Sequence, residues 1–188
     1  MPAELSPTSY ALLGLLMLGD STDNAGLTGY ELKLRADRTL RFYWVSPAMS
    51  QVYSELARLA RRGHLTADHD RAGRRTTRRY RINESGVRAL RSWLSAAPVD
   101  FPVLKHPVAM RLMMGQLLGE QAAGELLDSY RQGLADRRAD LQAVRDSLGD
   151  PPALRYPAMV AEWGLAYYDS ERDIVDRLIR GLRPDNAE

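Results

Sequence analysis

Between Ser46 and Arg81 a run of small hydroxyl and amide side chains is followed by a crowd of arginines. Ser46-Pro47 reads as the start of a helix, with serine at the N-cap and proline in the first turn. The helix continues through Met49, Val52, Leu56 and Leu59 to Gly63, and these four apolar residues step by 3, 4 and 3 along one face. On a helical projection Ser46, Ser50, Ser54, Ala57 and Arg61 fall opposite, flanked by Tyr53 on one side and by Gln51 and Arg58 on the other. Little bulk, hydroxyls and amides in the middle and cations at the rim suit a helix that lies close in a major groove and bonds to base edges and phosphates. Arg74, Arg75, Arg78, Arg79 and Arg81 follow. Guanidinium groups so concentrated neutralise phosphates or enter a minor groove, with an affinity that falls steeply with salt. Arg35, Arg38 and Arg41 are further phosphate candidates, although Arg35 and Arg38 would also suit the C-terminal dipole of their own helix. The plainer alternatives are an amphipathic surface helix and a solvated, charged hairpin.

Other chemistry finds little support. There is no cysteine, which excludes disulfides and thiolate sites. His64 and His69 are five apart across an expected strand and face opposite sides, a poor metal pair. No Gly-rich phosphate loop, serine elbow or histidine with an evident carboxylate partner occurs. We therefore expect no enzyme, no metal and no cofactor.

The elements that must position these residues form a recognisable order. Ser6-Pro7 starts a first, largely buried helix through Leu18, and a polar link leads to Thr28, which with Glu31 reads as a capping box stapled by Leu27 and Leu32. That second helix should reach about Asp37. After the helix at Pro47, Leu65-Thr66-Ala67-Asp68 and Arg78-Arg79-Tyr80-Arg81-Ile82-Asn83 read as two short strands around a turn at Asp70 to Gly73. Asn83 caps a fourth helix, Glu84 to about Ala96, with Val87, Leu90, Trp93 and Leu94 on one face. Three helices, a two-stranded ribbon and a helix make a winged helix-turn-helix.

Pro98 and Pro102 mark a hinge, so we expect a DNA-binding domain over 1–97 and a helical dimerisation domain over 98–188. The second half holds a Met-rich segment, Val103 to Leu118, and a helix from Glu120 to Leu148. In that helix Ala123, Leu127, Tyr130, Leu134, Arg137, Leu141, Val144 and Leu148 make a heptad seam. A final helix, about Pro157 to Leu182, would turn Val160, Trp163, Tyr167, Ile174 and Leu178 inward. Leu127, Tyr130, Leu134, Leu141, Trp163, Tyr167 and Ile174 are the candidate homodimer interface, the alternative being an intramolecular hairpin core. Met110, Met113, Met114, Trp163, Tyr167 and Tyr168 are candidates for a small aromatic or hydrophobic effector site, the alternative being plain packing. The whole is mainly α with minor β. The charge follows the same division. Net charge is +2, but residues 1–97 carry 15 basic and 9 acidic side chains and residues 98–188 carry 11 and 15. A basic half beside an acidic half directs only the first toward a polyanion. No export signal or spanning segment is evident, so a cytoplasmic location is expected.

Tyr10-Ala11-Leu12-Leu13-Gly14-Leu15-Leu16, Gly29-Tyr30-Glu31-Leu32, Ser50-Gln51-Val52-Tyr53-Ser54-Glu55-Leu56-Ala57-Arg58-Leu59 and Arg79-Tyr80-Arg81-Ile82-Asn83 together resemble the PadR family of transcriptional regulators over residues 6–96. Leu126-Leu127-Asp128-Ser129-Tyr130-Arg131 and Trp163-Gly164-Leu165-Ala166-Tyr167-Tyr168 are similar to the AphA-like dimerisation region of its longer subgroup. The glycine often found before the Gln-Val-Tyr stretch is absent, the position being Met49-Ser50. The resemblance implies a homodimer on a pseudo-palindromic operator, most often a repressor, released in some members by phenolic acids or hydrophobic drugs. Two other classes fit the same elements: a winged helix that binds an acidic protein, and a ligand-binding protein built on the C-terminal aromatic cluster.

Overall fold

The computed structural model describes residues 5–18, 26–42, 44, 46–72, 75–96, 98, 105–149 and 152–182, with the side chains of 69–72, 75 and 76 outside the description. The chain divides into two compact units, Met1–Asp100 and Phe101–Glu188. The hinge residue Pro102 and much of the link before Thr28 lie outside the described residues.

The first unit contains α1 (Pro7–Met17), β1 (Leu27–Thr28), α2 (Gly29–Thr39), α3 (Met49–Arg61), β2 (Leu65–Ala72), β3 (Arg75–Ile82) and α4 (Glu84–Ala96). Local chemistry explains most of these boundaries. The Ser6 hydroxyl accepts the Ser9 N–H at 3.1 Å, with Pro7 in the first turn of α1. The capping box at α2 is complete: Glu31 N–H donates to Thr28 Oγ1 at 3.1 Å, and Thr28 N–H donates to Glu31 Oε2 at 2.8 Å. Asn83 Oδ1 accepts the Gly86 N–H at 3.0 Å and starts α4.

Two boundaries differ from the sequence reading. The ribbon is longer, with β2 and β3 paired from Leu65↔Ile82 to Ala72↔Arg75, and β1 adds a third antiparallel strand through Leu27↔Tyr80 and Thr28↔Arg79. The third helix begins at Met49, and Ala48 at its N-cap makes no side-chain bond. Ser46 is instead drawn to the neighbouring helix, where its hydroxyl donates to Asp37 Oδ1 at 2.6 Å. A charge-assisted bond of this kind is stronger than the neutral cap it replaces.

The core of this unit joins Leu12, Leu13, Leu32, Val52, Leu56 and Leu59, each fully buried. Tyr10 stacks on Trp93 with ring centroids 4.7 Å apart, tying α1 to α4.

The second unit contains α5 (Pro107–Met113), α6 (Gly115–Leu118), α7 (Glu120–Leu148) and α8 (Arg155–Leu182). The last two form an antiparallel hairpin. Ala123, Leu127, Leu134 and Leu141 of α7 are buried with Ala158, Ala161, Gly164, Tyr168, Val175 and Ile179 of α8. A Cβ at Gly164 would stand 2.6 Å from Leu141 Cδ2, so the glycine is what lets the helices approach there. Three ion pairs flank the seam at seven-residue steps on both helices: Arg131 with Asp176 at 3.3 Å, Arg138 with Asp169 at 2.7 Å and Arg145 with Glu162 at 3.0 Å.

This packing corrects the expected inward face of α8. Trp163, Tyr167, Ile174 and Leu178 are 76%, 49%, 41% and 42% exposed. The residues that turn in are mostly smaller, because a close helix–helix approach selects alanine and glycine over tryptophan. Among the described residues no helix is long and apolar enough to cross a membrane.

Candidate nucleic-acid interface

Helix α3 buries Val52, Leu56 and Leu59 and leaves Ser50, Gln51, Tyr53, Ser54 and Arg61 exposed. The Ser54 hydroxyl donates to the Gln51 carbonyl at 2.9 Å, which keeps it close to the helix and leaves its lone pairs outward. Tyr53 is 47% exposed, and its ring lies against the start of α2. A Cβ at Gly29 would come within 2.4 Å of Tyr53 Cε1, so glycine there makes room for the ring. The exposed set thus offers hydroxyls, an amide, a phenol and one guanidinium on a single rigid helix.

The arginines differ in exposure and in the contacts that they make. Arg38, Arg41, Arg61 and Arg78 are exposed, Arg41 over the Phe42 ring at 4.5 Å and Arg78 over the Tyr80 ring at 5.3 Å. Three others among the DNA-binding candidates make hydrogen bonds within the unit. Arg58 donates to the hydroxyls of Ser6 at 2.7 Å and Ser9 at 2.9 Å and pairs with Glu55. Arg79 donates to the Gly26 carbonyl at 2.7 Å and lies 3.4 Å from Glu31. Arg35 donates to the Leu15 carbonyl at 2.9 Å, near the end of α1 rather than of its own helix. Ser46 is taken up by Asp37 and lies before α3 rather than on it. Arg74 lies outside the described residues, as do the side chains of Arg75 and His69.

Electrostatics hold these inward contacts in their charged forms. The Glu31 carboxyl sits below its ordinary value, first because the Thr28 backbone N–H donates to it, against an opposing effect of burial. Asp37 is likewise lowered by hydrogen bonds from Lys33 and then Ser46. Sequence spacing signals the Glu55–Arg58 pair, three apart on one helix, but not the remote contacts of Arg58 and Arg79. Each pairs with a carboxylate, but each is fixed by a partner from a remote segment, Ser6 and Ser9 in one case and Gly26 in the other.

In the second unit Leu127, Leu134 and Leu141 are 1%, 3% and 1% exposed within a single chain, so they offer a partner no surface. The exposed apolar side chains are instead Tyr156, Met159, Trp163, Tyr167, Ile174 and Leu178 of α8, with Met110, Met113, Met114 and Leu117 around α5 and α6. Tyr130 is half-buried, and its hydroxyl lies 3.0 Å from His106 Nε2, which also lies 3.0 Å from Glu171 Oε1. Burial, and then the Glu171 carboxylate, push the Tyr130 phenol up to about 12. Met110, Met114, Trp163 and Tyr167 are exposed. An open groove of about 410 Å³ lies elsewhere, where Arg145, Leu154, Arg155 and Met159 surround the α7–α8 turn.

A winged helix and a long helical hairpin in one chain define the fold. The fold is that of the PadR-type regulators. Residues 104–183 match the family described as "Virulence activator alpha C-term". The PadR of Bacillus subtilis in complex with operator DNA is similar over 95% of this chain and 100% of its own, with TM-score 0.81 and 22% identity. The same protein in complex with p-coumaric acid is similar over 93% and 97%, with TM-score 0.72 and 22% identity. The Vibrio cholerae virulence activator AphA is similar over 93% and 96%, with TM-score 0.69 and 18% identity. Comparison with curated proteins finds no match.

Proposed function

We propose that this chain is a sequence-specific transcriptional regulator that binds double-stranded DNA as a homodimer, acts as a repressor in the cytoplasm and has no enzymatic activity. The observation that carries the reading is the outer face of α3, where Ser50, Gln51, Tyr53, Ser54 and Arg61 are exposed together while the opposite face is fully buried. The helix enters the major groove, with Ser50, Gln51 and Tyr53 toward base edges or adjacent phosphates and Arg61 at the rim. Arg78 of the wing holds the backbone, joined there by Arg74 and Arg75. Arg38 and Arg41 are the flanking cations. Residues 1–97 read DNA and residues 98–188 dimerise.

The dimer rests on the exposed stripe of α8. Trp163 at 76% and Tyr156 at 73% exposure, in line with Met159, Tyr167, Ile174 and Leu178, make an apolar face of a kind that monomers rarely leave in water. Two copies joined through it would present two copies of α3, hence an operator with two-fold character and half-sites about 34–36 Å apart or a multiple of that. Selection of bound sequences from random duplexes tests this directly. Enrichment of an inverted repeat is expected, and recovery of unenriched sequence would overturn the reading.

A small aromatic or hydrophobic effector is part of the same proposal. Its support is the similarity to a protein solved with p-coumaric acid. Aromatic acids should change the emission of Trp163 and weaken duplex binding together. A flat titration with operator binding unchanged would remove the effector.

A further inference from the structure

A connected polar cluster of the first unit lies along one flank of α3, between its buried and its exposed faces. Arg58 reaches back to the first turn of α1, where one terminal nitrogen lies 2.7 Å from Ser6 Oγ and 2.9 Å from Ser9 Oγ. Glu55, one turn earlier, receives the Ser9 hydroxyl, the Ser6 hydroxyl at 3.3 Å and Arg58 itself. Ser9 is fully buried, and the Glu55 and Arg58 side chains are 15% and 33% exposed. Arg58 Nε is buried and makes no hydrogen bond among the described residues. A buried guanidinium nitrogen without a partner costs stability, so the arrangement is not the cheapest way to pack this helix.

What the cluster supplies is direction. The apolar contacts of Val52, Leu56 and Leu59 hold α3 to the core, but burial of apolar area is non-directional and tolerates rotation and sliding. The helix also lacks a side-chain N-cap. Glu55 accepts angular hydrogen bonds from Ser6 and Ser9, and Arg58 donates to the same hydroxyls; bonds of this kind resist rotation of a helix about its own axis. They also manage charge, because an unpaired carboxylate on this helix would repel phosphates, and an unpaired Arg58 would seize them whatever the sequence.

We propose that Glu55 and Arg58 are positioning residues for DNA reading: a neutral clamp onto Ser6 and Ser9 that sets the rotation of α3 in the groove and keeps Arg58 away from phosphates. This rests on the proposed function and names the residues that give it sequence discrimination without touching DNA.

The test measures affinity of the full-length chain for its selected operator and for random duplex, each as a function of salt. Glu55→Gln keeps the volume but releases Arg58. Its salt slope on random duplex should steepen by about 1 per protomer. The ratio of operator to random affinity should fall about tenfold, the equivalent of one weakened base contact. Glu55→Gln with Arg58→Gln should return the slope to wild type while discrimination stays low, a pattern that general loosening of the fold does not produce. If Glu55→Gln fails to fold, Arg58→Lys is read instead: it keeps the charge on a side chain one bond shorter, which draws the cation off the Ser6 and Ser9 hydroxyls that a single terminal nitrogen now reaches, so discrimination should drop with the slope unchanged. A folded Glu55→Gln, or failing that a folded Arg58→Lys, that discriminates like wild type overturns the proposal. A wild-type chain with no preference for any selected duplex would remove the DNA-reading assignment first, and the clamp with it, in a measurement that alters neither residue.

Discussion

Gly86 of α4 is packed closely against the segment that follows α3. A Cβ built there would stand 2.3 Å from the His64 carbonyl oxygen and 2.8 Å from Ile82 Cγ1, well inside the 3.0 Å that real Cβ contacts respect. The oxygen belongs to backbone that is itself held, since Asn83 N–H donates to the His64 carbonyl and Asn83 Nδ2 donates to the Gly63 carbonyl at 2.9 Å. In Gly86→Ala the helix must therefore move away from the turn that joins α3 to β2. Overpacking costs about 1–3 kcal/mol, and an approach this close to held backbone belongs at the upper end, about 2–3 kcal/mol. The opposing gain from replacing glycine in a helix is at most about 1 kcal/mol, so the clash wins by about 1–2 kcal/mol. For a unit of this size that corresponds to a fall in Tm of about 5–10 °C. Gly14 supplies the opposite case: it lies inside α1 with nothing described within 4 Å of an added Cβ, so Gly14→Ala should stabilise by about 0.5–1 kcal/mol. Thermal and urea unfolding followed through Trp93 would report both. A Gly86→Ala variant as stable as wild type would refute the close-contact reasoning, and a destabilised Gly14→Ala would show that helix propensity is not the opposing effect.

Three further outcomes follow from the division of roles. Arg78→Ala should weaken all duplexes alike and flatten the salt slope by about 1 per half-site, whereas Arg79→Ala should leave the slope alone and lower stability by about 1 kcal/mol through loss of its bond to Gly26; salt titrations and unfolding curves separate them. Trp163→Asp with Leu178→Asp should give folded monomers by sedimentation, while Leu134→Asp should unfold the hairpin, because its charge would be buried within one chain. The raised Tyr130 phenol means that the folded state resists ionisation, so the second unit should be fully stabilised below the ordinary tyrosine value of 10.0 and lose stability as pH rises toward about 12. Tyr130→Phe should remove part of that loss in alkaline unfolding by circular dichroism.

The sequence revealed elements whose signals are local. Thr28 and Glu31 capped α2 as their spacing required, Asn83 opened α4, and the steps of Val52, Leu56 and Leu59 identified the buried face of α3. It misled where a side chain's fate depended on a distant partner. Arg58, Arg79 and Arg35 look alike in sequence to Arg61, Arg78 and Arg38, and contacts with Ser6, Ser9, Gly26 and Leu15, remote in the chain, distinguish the first three. Strand β1 has two residues, too few to show a period. The inward face of α8 was misjudged for a different reason. Burial usually follows size and apolarity, but where Leu141 needs the space over Gly164 it is the absence of a side chain that marks the interior.

The three arginine–carboxylate pairs along the hairpin divide it into graduations of two helical turns. Removing seven residues from α7 and seven from α8 would keep every remaining pair opposite its partner and every leucine in the seam, and would shorten the hairpin by about 10.5 Å. Removing five from each would rotate the seam by about 140° and turn leucines to water. The hairpin is thus a rod whose length can change only in fixed increments, and a lineage carrying it could alter its reach by whole heptads without redesigning the packing at either end.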